Sequence, residues 1–139
     1  MGYVIGLVLA FVVLGFARWT RLDRDGAFYP TVLIVVAHYY VLFATIGGSS
    51  DTLILELLGM AAFVLVAVLG FKFSSWLVVA GLAAHGLFDM VHAHVVQNPG
   101  VPEFWPAFCA AFDVGIAGLL AAVGLAGRRR ANGSAGTTP

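Results

Sequence analysis

Six ionisable residues fall inside otherwise apolar stretches of this chain: His38, Glu56, His85, Asp89, His92 and Asp113. An aspartate at the centre of a membrane helix costs about 2.5–3.5 kcal/mol on insertion scales. Such a group is kept where it faces protein or water, and it marks a functional site by default. His85, Asp89 and His92 are spaced i, i+4, i+7. At about 100° per residue they share an arc of roughly 60° on one helix face. His-x-x-x-Asp-x-x-His thus offers three donors from one helix, and imidazole with carboxylate suits Zn, Fe, Mn or Cu.

The expected metal ligands are His38, His85, Asp89 and His92. Asp113 and Glu56 are the candidate general bases if the metal activates water for hydrolysis. Carboxylate–histidine di-metal sites in helical bundles use similar ingredients, although no His-Glu-x-x-His signature is present.

Each feature also has a purely structural explanation. Buried acids and histidines can pair and hold helices together. Glu56 lies near the start of its helix, where the dipole favours an acid. Cys109 and Asp113 are i, i+4 and share a face, yet Cys109 reads as a small buried residue rather than a ligand. Thr31, His38 and Thr45 form a heptad-spaced polar stripe, expected to face inward, though threonines at such positions also bond back to helix carbonyls. His94 falls on the face opposite His85 and is set aside.

The elements that position these residues are membrane spans. The 139 residues are 61% hydrophobic and 10% charged, against about 25% charged in soluble domains, so the chain lacks the polar surface a globule needs in water. A span takes roughly 20 apolar residues. The pattern predicts an all-α integral membrane protein, a five-helix bundle with spans at about 3–17, 27–47, 52–71, 75–96 and 104–127. Residues 1–127 form one transmembrane domain, and 128–139 are a basic stop and a disordered cytoplasmic tail.

Asp25 or Gly26 can cap the second span, with Pro30 in its first turn. Gly47-Gly48 ends it, and the Ser49-Ser50-Asp51-Thr52 run caps the third. Asn98-Pro99-Gly100-Val101-Pro102 is a stiff turn. The first span resembles a signal peptide in its Gly15-Phe16-Ala17, but no basic segment precedes it.

Orientation follows from charge. Arg18, Arg21 and Arg24 lie between spans one and two, Lys72 between three and four, and Arg128, Arg129 and Arg130 after five. All Lys and Arg fall on one side, which the positive-inside rule makes cytoplasmic, with the N-terminus outside. Trp19, Trp76, Phe104, Trp105, Tyr3 and Tyr29 lie near span ends, where amphipathic rings anchor at the interface. Counted from the outer ends, His38, His85 and Asp113 lie roughly nine to eleven residues in, Asp89 about seven, and Glu56 and His92 about four. Helices two to five therefore offer polar groups at overlapping depths, as one outward-opening pocket would require. Helix one brings none and is expected to be peripheral; its Gly6, Ala10 and Ala17 form a small-residue face suited to packing.

The function expected is an outward-facing intramembrane His/carboxylate site for a divalent metal (Zn, Fe, Mn or Cu), in the setting of a membrane-embedded metal-dependent enzyme. Three alternatives stay open: a proton or cation relay, a haem held by His38 and His85, and a non-catalytic accessory subunit. The expected surroundings are the lipid bilayer of a cell membrane, taken as a bacterial inner membrane, with a lipid-like substrate and a homo-oligomer or larger complex as partners. Zero net charge with scattered basic residues argues against nucleic acid. One cysteine excludes an intrachain disulfide. No Gly-rich phosphate loop, Gly-x-Ser-x-Gly elbow or Cys-x-x-Cys is present, and the single lysine, at a helix end, excludes a retinal Schiff base.

Overall fold

A computed structural model describes residues 1–47 and 50–135, with side chains described as far as Gly124. It is all-helical: α1 (Gly2–Thr20), α2 (Phe28–Gly47), α3 (Ser50–Phe73), α4 (Ser75–Val95) and α5 (Trp105–Ala135). Each of the five is long and apolar enough to cross a membrane. Helices are what such a sequence must form in lipid, because no water is present to satisfy an open backbone.

Local chemistry sets the breaks. After α1 the chain leaves through Arg21 in the left-handed conformation (φ 63°). The Asp25 carboxylate then accepts the Ala27 N–H at 3.0 Å, organising the entry to α2 with Pro30 in the first turn, where its missing N–H costs nothing. Ser74 alone separates α3 from α4, and its hydroxyl accepts the Trp76 N–H at 3.3 Å. So short a link makes α3 and α4 antiparallel neighbours. Pro106 sits in the first turn of α5.

Several boundaries differ from expectation: α1 continues past Ala17 to Thr20, and α3 begins at Ser50. α3 continues through Phe73, and α5 continues past Gly127 to Ala135, since alanine and arginine are strong helix formers. Gly48, Ser49 and residues 136–139, on which parts of the expected cap and tail fall, lie outside the described residues.

α4 is the central element. It packs against α5, α3 and α2, while α2 also pairs with α3 and α1 packs on the far side of α5. The small-residue face of α1 is the one that docks: Gly6, Ala10 and Ala17 are its buried residues. α1 contributes no side chain to the polar groups described below, in keeping with a peripheral role.

The bundle has two unlike ends. One, the basic end, carries Arg18, Arg21, Arg24 and Lys72. Toward it the core is an apolar layer of Leu33, Ala67, Val78, Leu82, Ile116 and Ala117, all buried. The buried polar and charged residues, Thr52, Glu56, His85, Asp89, His92 and Asp113, lie from the middle toward the opposite end. The outer surface is apolar, with Phe11, Leu58, Leu65, Leu87 and Val114 among its exposed residues, as a lipid-facing bundle requires.

Two of the rings expected to anchor at the interface turn inward. Tyr29 is buried in the core, and Trp105 packs on Tyr39 (4.7 Å) and Phe43 (5.0 Å). Trp19 is exposed.

Candidate metal centre

The inward face of α4 is Val78, Gly81, Leu82, His85, Gly86, Asp89 and His92, a helical-period stripe that changes from apolar to polar at His85. Gly86 lets α5 come close. A Cβ there would stand 3.0 Å from the Ala110 carbonyl oxygen and 3.2 Å from Cβ of Asp113. This approach brings Asp113 to His85.

His85 Nδ1 lies 2.7 Å from Asp113 Oδ2, the geometry of an N–H donating to a carboxylate oxygen, and 3.5 Å from Asp89 Oδ2. Cys109, one turn before Asp113 on α5, donates its thiol to Asp113 Oδ2 at 3.7 Å. One ligand atom from each of His85, Asp89, Cys109 and Asp113 lies within 4.8 Å of all the others, and all four residues are buried. Phe63 packs edge-on against the imidazole at 4.7 Å.

Two carboxylates thus share one imidazole in a buried setting. Asp89 Oδ2 and Asp113 Oδ1 are buried without a hydrogen-bond partner. A buried carboxylate left uncompensated costs several kcal/mol, and unpaired polar atoms are rare in folded interiors. A nitrogen, carboxylate oxygens and a sulfur surrounding such a deficit of positive charge could hold a metal ion.

A second polar group lies two turns further along α4. His92 Nε2 is 2.8 Å from Glu56 Oε1, and the Asn98 amide donates to the same oxygen at 2.8 Å and to the Tyr40 carbonyl at 3.1 Å. Asn98 reaches them because its turn folds tightly onto the end of α2. Gly100 sits so close to the Phe43 carbonyl that a Cβ would overlap it, and a Cβ on Gly47 would meet Gly100 Cα at 2.9 Å. Tyr40 joins the two groups: its hydroxyl donates to Asp89 Oδ1 at 2.6 Å, and its ring stacks on His92 at 3.9 Å.

The structure therefore sorts the expected residues into three sets. His85 and Asp89 come together with Asp113, the residue expected as a general base. His92 and Glu56 pair with each other, outside the four-residue group. His38 joins neither: it is exposed, with Nδ1 3.3 Å from the Met60 sulfur. Thr31 and Thr45 are exposed too, their hydroxyls bonded to the Ala27 and Leu42 carbonyls at 2.9 and 2.6 Å. The heptad stripe of α2 faces outward because threonines that bond to their own helix need no partner inside. Nor do His38 and His85 face a shared space as a pair of haem ligands would.

Three contributors escaped the sequence reading of the site. Cys109 reads in sequence as a small buried residue, although its i, i+4 spacing puts it on the face of Asp113. Asn98 read only as a turn former. Tyr40 was hidden in an apolar helix, where the signal was the helical period of the buried set Leu33, Val36, Ala37, Tyr40 and Ala44.

No family model matches this chain, and no curated protein or solved structure matches it either.

Proposed function

We propose that this chain is an intramembrane binding protein for a divalent transition metal, held by His85, Asp89, Asp113 and Cys109. The observation that carries the reading is the convergence of four buried donors within 4.8 Å, two of them carboxylates with an unpartnered oxygen. A dication offsets both carboxylate charges; on ligation it displaces the proton that His85 Nδ1 holds against Asp113, and the Cys109 thiol releases its proton to bind as a thiolate. The donor set of one imidazole, two carboxylates and one thiolate suits zinc or ferrous iron better than copper, for which softer or more nitrogen-rich sets are usual. The gathering of Arg18, Arg21, Arg24 and Lys72 at one end supports an orientation with that end cytoplasmic, so that the polar half of the bundle faces outward.

Metal analysis of the chain purified in detergent tests this. One zinc or iron per chain is expected, and cobalt substitution should give a sulfur-to-metal charge-transfer band that Cys109→Ser abolishes. A chain that takes up no transition metal from a metal-supplemented buffer overturns the reading.

A second reading, metal-dependent hydrolysis of a lipid-like substrate, is favoured by one observation. Cys109 also lines an apolar groove of about 550 Å³ between α1, α2 and α5, with Val36, Tyr39, Trp105, Phe108 and Phe112. A lipid lying in that groove would meet the four-residue group at Cys109. Release of fatty acid or headgroup from mixed phospholipid vesicles by the metal-loaded chain, absent in Asp113→Asn, is the expected result. No turnover of any vesicle lipid counts against it.

A further inference from the structure

The metal reading leaves the pair of Glu56 and His92 without a task, and its location suggests one. At the end of the bundle opposite the basic cluster lies a depression of about 560 Å³, walled by His92, Gln97, Asn98 and Glu103 among others. His92 therefore borders the mouth while being itself buried. Glu56 has two neighbourhoods. Its Oε1 accepts from Asn98 and lies against His92, and the residue also lines a small, partly open void of about 10 Å³ that it shares with Tyr40, Met60, Phe63 and His85. That volume is about one water. From mouth to centre the polar sequence is thus His92, Glu56, the void, then His85.

Among the described residues, no similar polar sequence leads to the centre from the basic end. There Leu33, Leu82 and Ile116, each 0% exposed, close the bundle beneath His85.

We propose that Glu56 and His92, held in place by Asn98, form a second and weaker cation station through which a divalent ion passes from the mouth to the four-residue centre. The proposal rests on the metal reading above. The two groups differ as a station and a store should. Glu56 and His92 supply one carboxylate and one imidazole, leaving most of an ion's coordination to water. The centre supplies four donors. An entry site must bind well enough to admit an ion and weakly enough to release it. The carboxylate at the neck also raises the local cation concentration. Asn98 keeps Glu56 aimed, and the ring of Tyr40 stacked on His92 keeps the neck narrow.

The test follows cobalt loading of the purified chain in lipid nanodiscs by stopped flow, reading the sulfur-to-metal band that only Cys109 can give. In the wild-type chain the loading rate should saturate with cobalt concentration, because the station fills before transfer. Glu56→Gln should slow loading at least about tenfold, the low end of what a charge in a cleft contributes to an on-rate. The final band intensity and the equilibrium midpoint should be retained. A rate that climbs linearly with cobalt, or Glu56→Gln loading at the wild-type rate, overturns the station and leaves the metal centre standing. If Glu56→Gln fails to fold, the wild-type concentration dependence decides alone. No band in the wild-type chain at any cobalt concentration removes the centre and the station together.

Discussion

The two buried polar groups on the inward face of α4 are built from the same residue types and differ in how completely they are satisfied. At the His92 end, one imidazole meets one carboxylate, and an asparagine amide takes the same oxygen. At the His85 level, one imidazole meets two carboxylates, and two carboxylate oxygens are left unpartnered. A satisfied pair can serve structure by itself, since each charge has its neighbour. The unsatisfied group is costly as it stands, and it becomes reasonable once a cation is counted among its members. The difference teaches that the unmatched valence, more than the presence of histidine and acid, singles out the centre.

That comparison breaks most readily at His85, where the largest effect is expected. His85→Ala removes the one nitrogen donor and leaves Asp89 and Asp113 facing each other. Loss of a group that merely orients a ligand costs about 10–100-fold in metal affinity, so loss of the ligand itself should exceed the upper end of that range. Equilibrium cobalt titration measures it. Affinity within tenfold of wild type would mean that the centre is no different in kind from the His92 pair.

Tyr40 sharpens the comparison because it touches both groups. Tyr40→Phe keeps the ring that stacks on His92 (3.9 Å) and removes only the hydroxyl that donates to Asp89 (2.6 Å). Metal affinity should fall about 10–100-fold. Thermal stability of the metal-free chain should fall as well, since Asp89 Oδ2 has no hydrogen-bond partner and the lost donor to Oδ1 contributes about 1.5–3 kcal/mol. A large stability loss with unchanged affinity would make Tyr40 a structural link instead.

At Asn98 stability is expected to fall alone. Asn98→Ala withdraws the amide from Glu56 and from the Tyr40 carbonyl. A hydrogen bond to a charged group contributes about 1.5–3 kcal/mol, so the apparent melting temperature should drop while equilibrium metal affinity holds within about twofold. Affinity falling together with stability would merge the two groups into one site.

How much of this was legible in the sequence depended on what each residue type can do alone. The five helices followed from apolar length, and α4 was read nearly whole because His85, Asp89 and His92 cannot face lipid cheaply and so report their own orientation. That rule places residues on a face and says nothing of partners. It could not separate His92, which meets Glu56 across the bundle, from His85, which meets Asp113, because the crossing of α4 with α3 and α5 sets those distances. Cys109 was ambiguous for a different reason: a lone buried thiol packs as a small apolar residue, and only the arrival of α4 beside it gives the sulfur a polar neighbour. Tyr40 carried no polar signal beyond one hydroxyl, and its role depends on where Asp89 lies.

α2 is where sequence logic and packing parted, and it supplies the smallest expected effect. Polarity alone would place Thr31, His38 and Thr45 on the inward face of this helix, yet they are exposed while Leu33, Val36, Ala37, Tyr40 and Ala44 are buried. Threonine can satisfy its hydroxyl on its own helix, so it carries little information about which way a helix faces. His38 faces outward as well, with its Nδ1 3.3 Å from the Met60 sulfur. A histidine outside both polar groups should be dispensable: His38→Ala should leave cobalt affinity unchanged within about twofold and stability within about 0.5 kcal/mol, the usual range for substitutions away from the core. Measured beside His85→Ala, it separates a histidine that belongs to the centre from one that shares only its depth. A His38→Ala chain that lost its metal would require α2 to turn its polar stripe inward, bringing His38 to the centre in place of Tyr40.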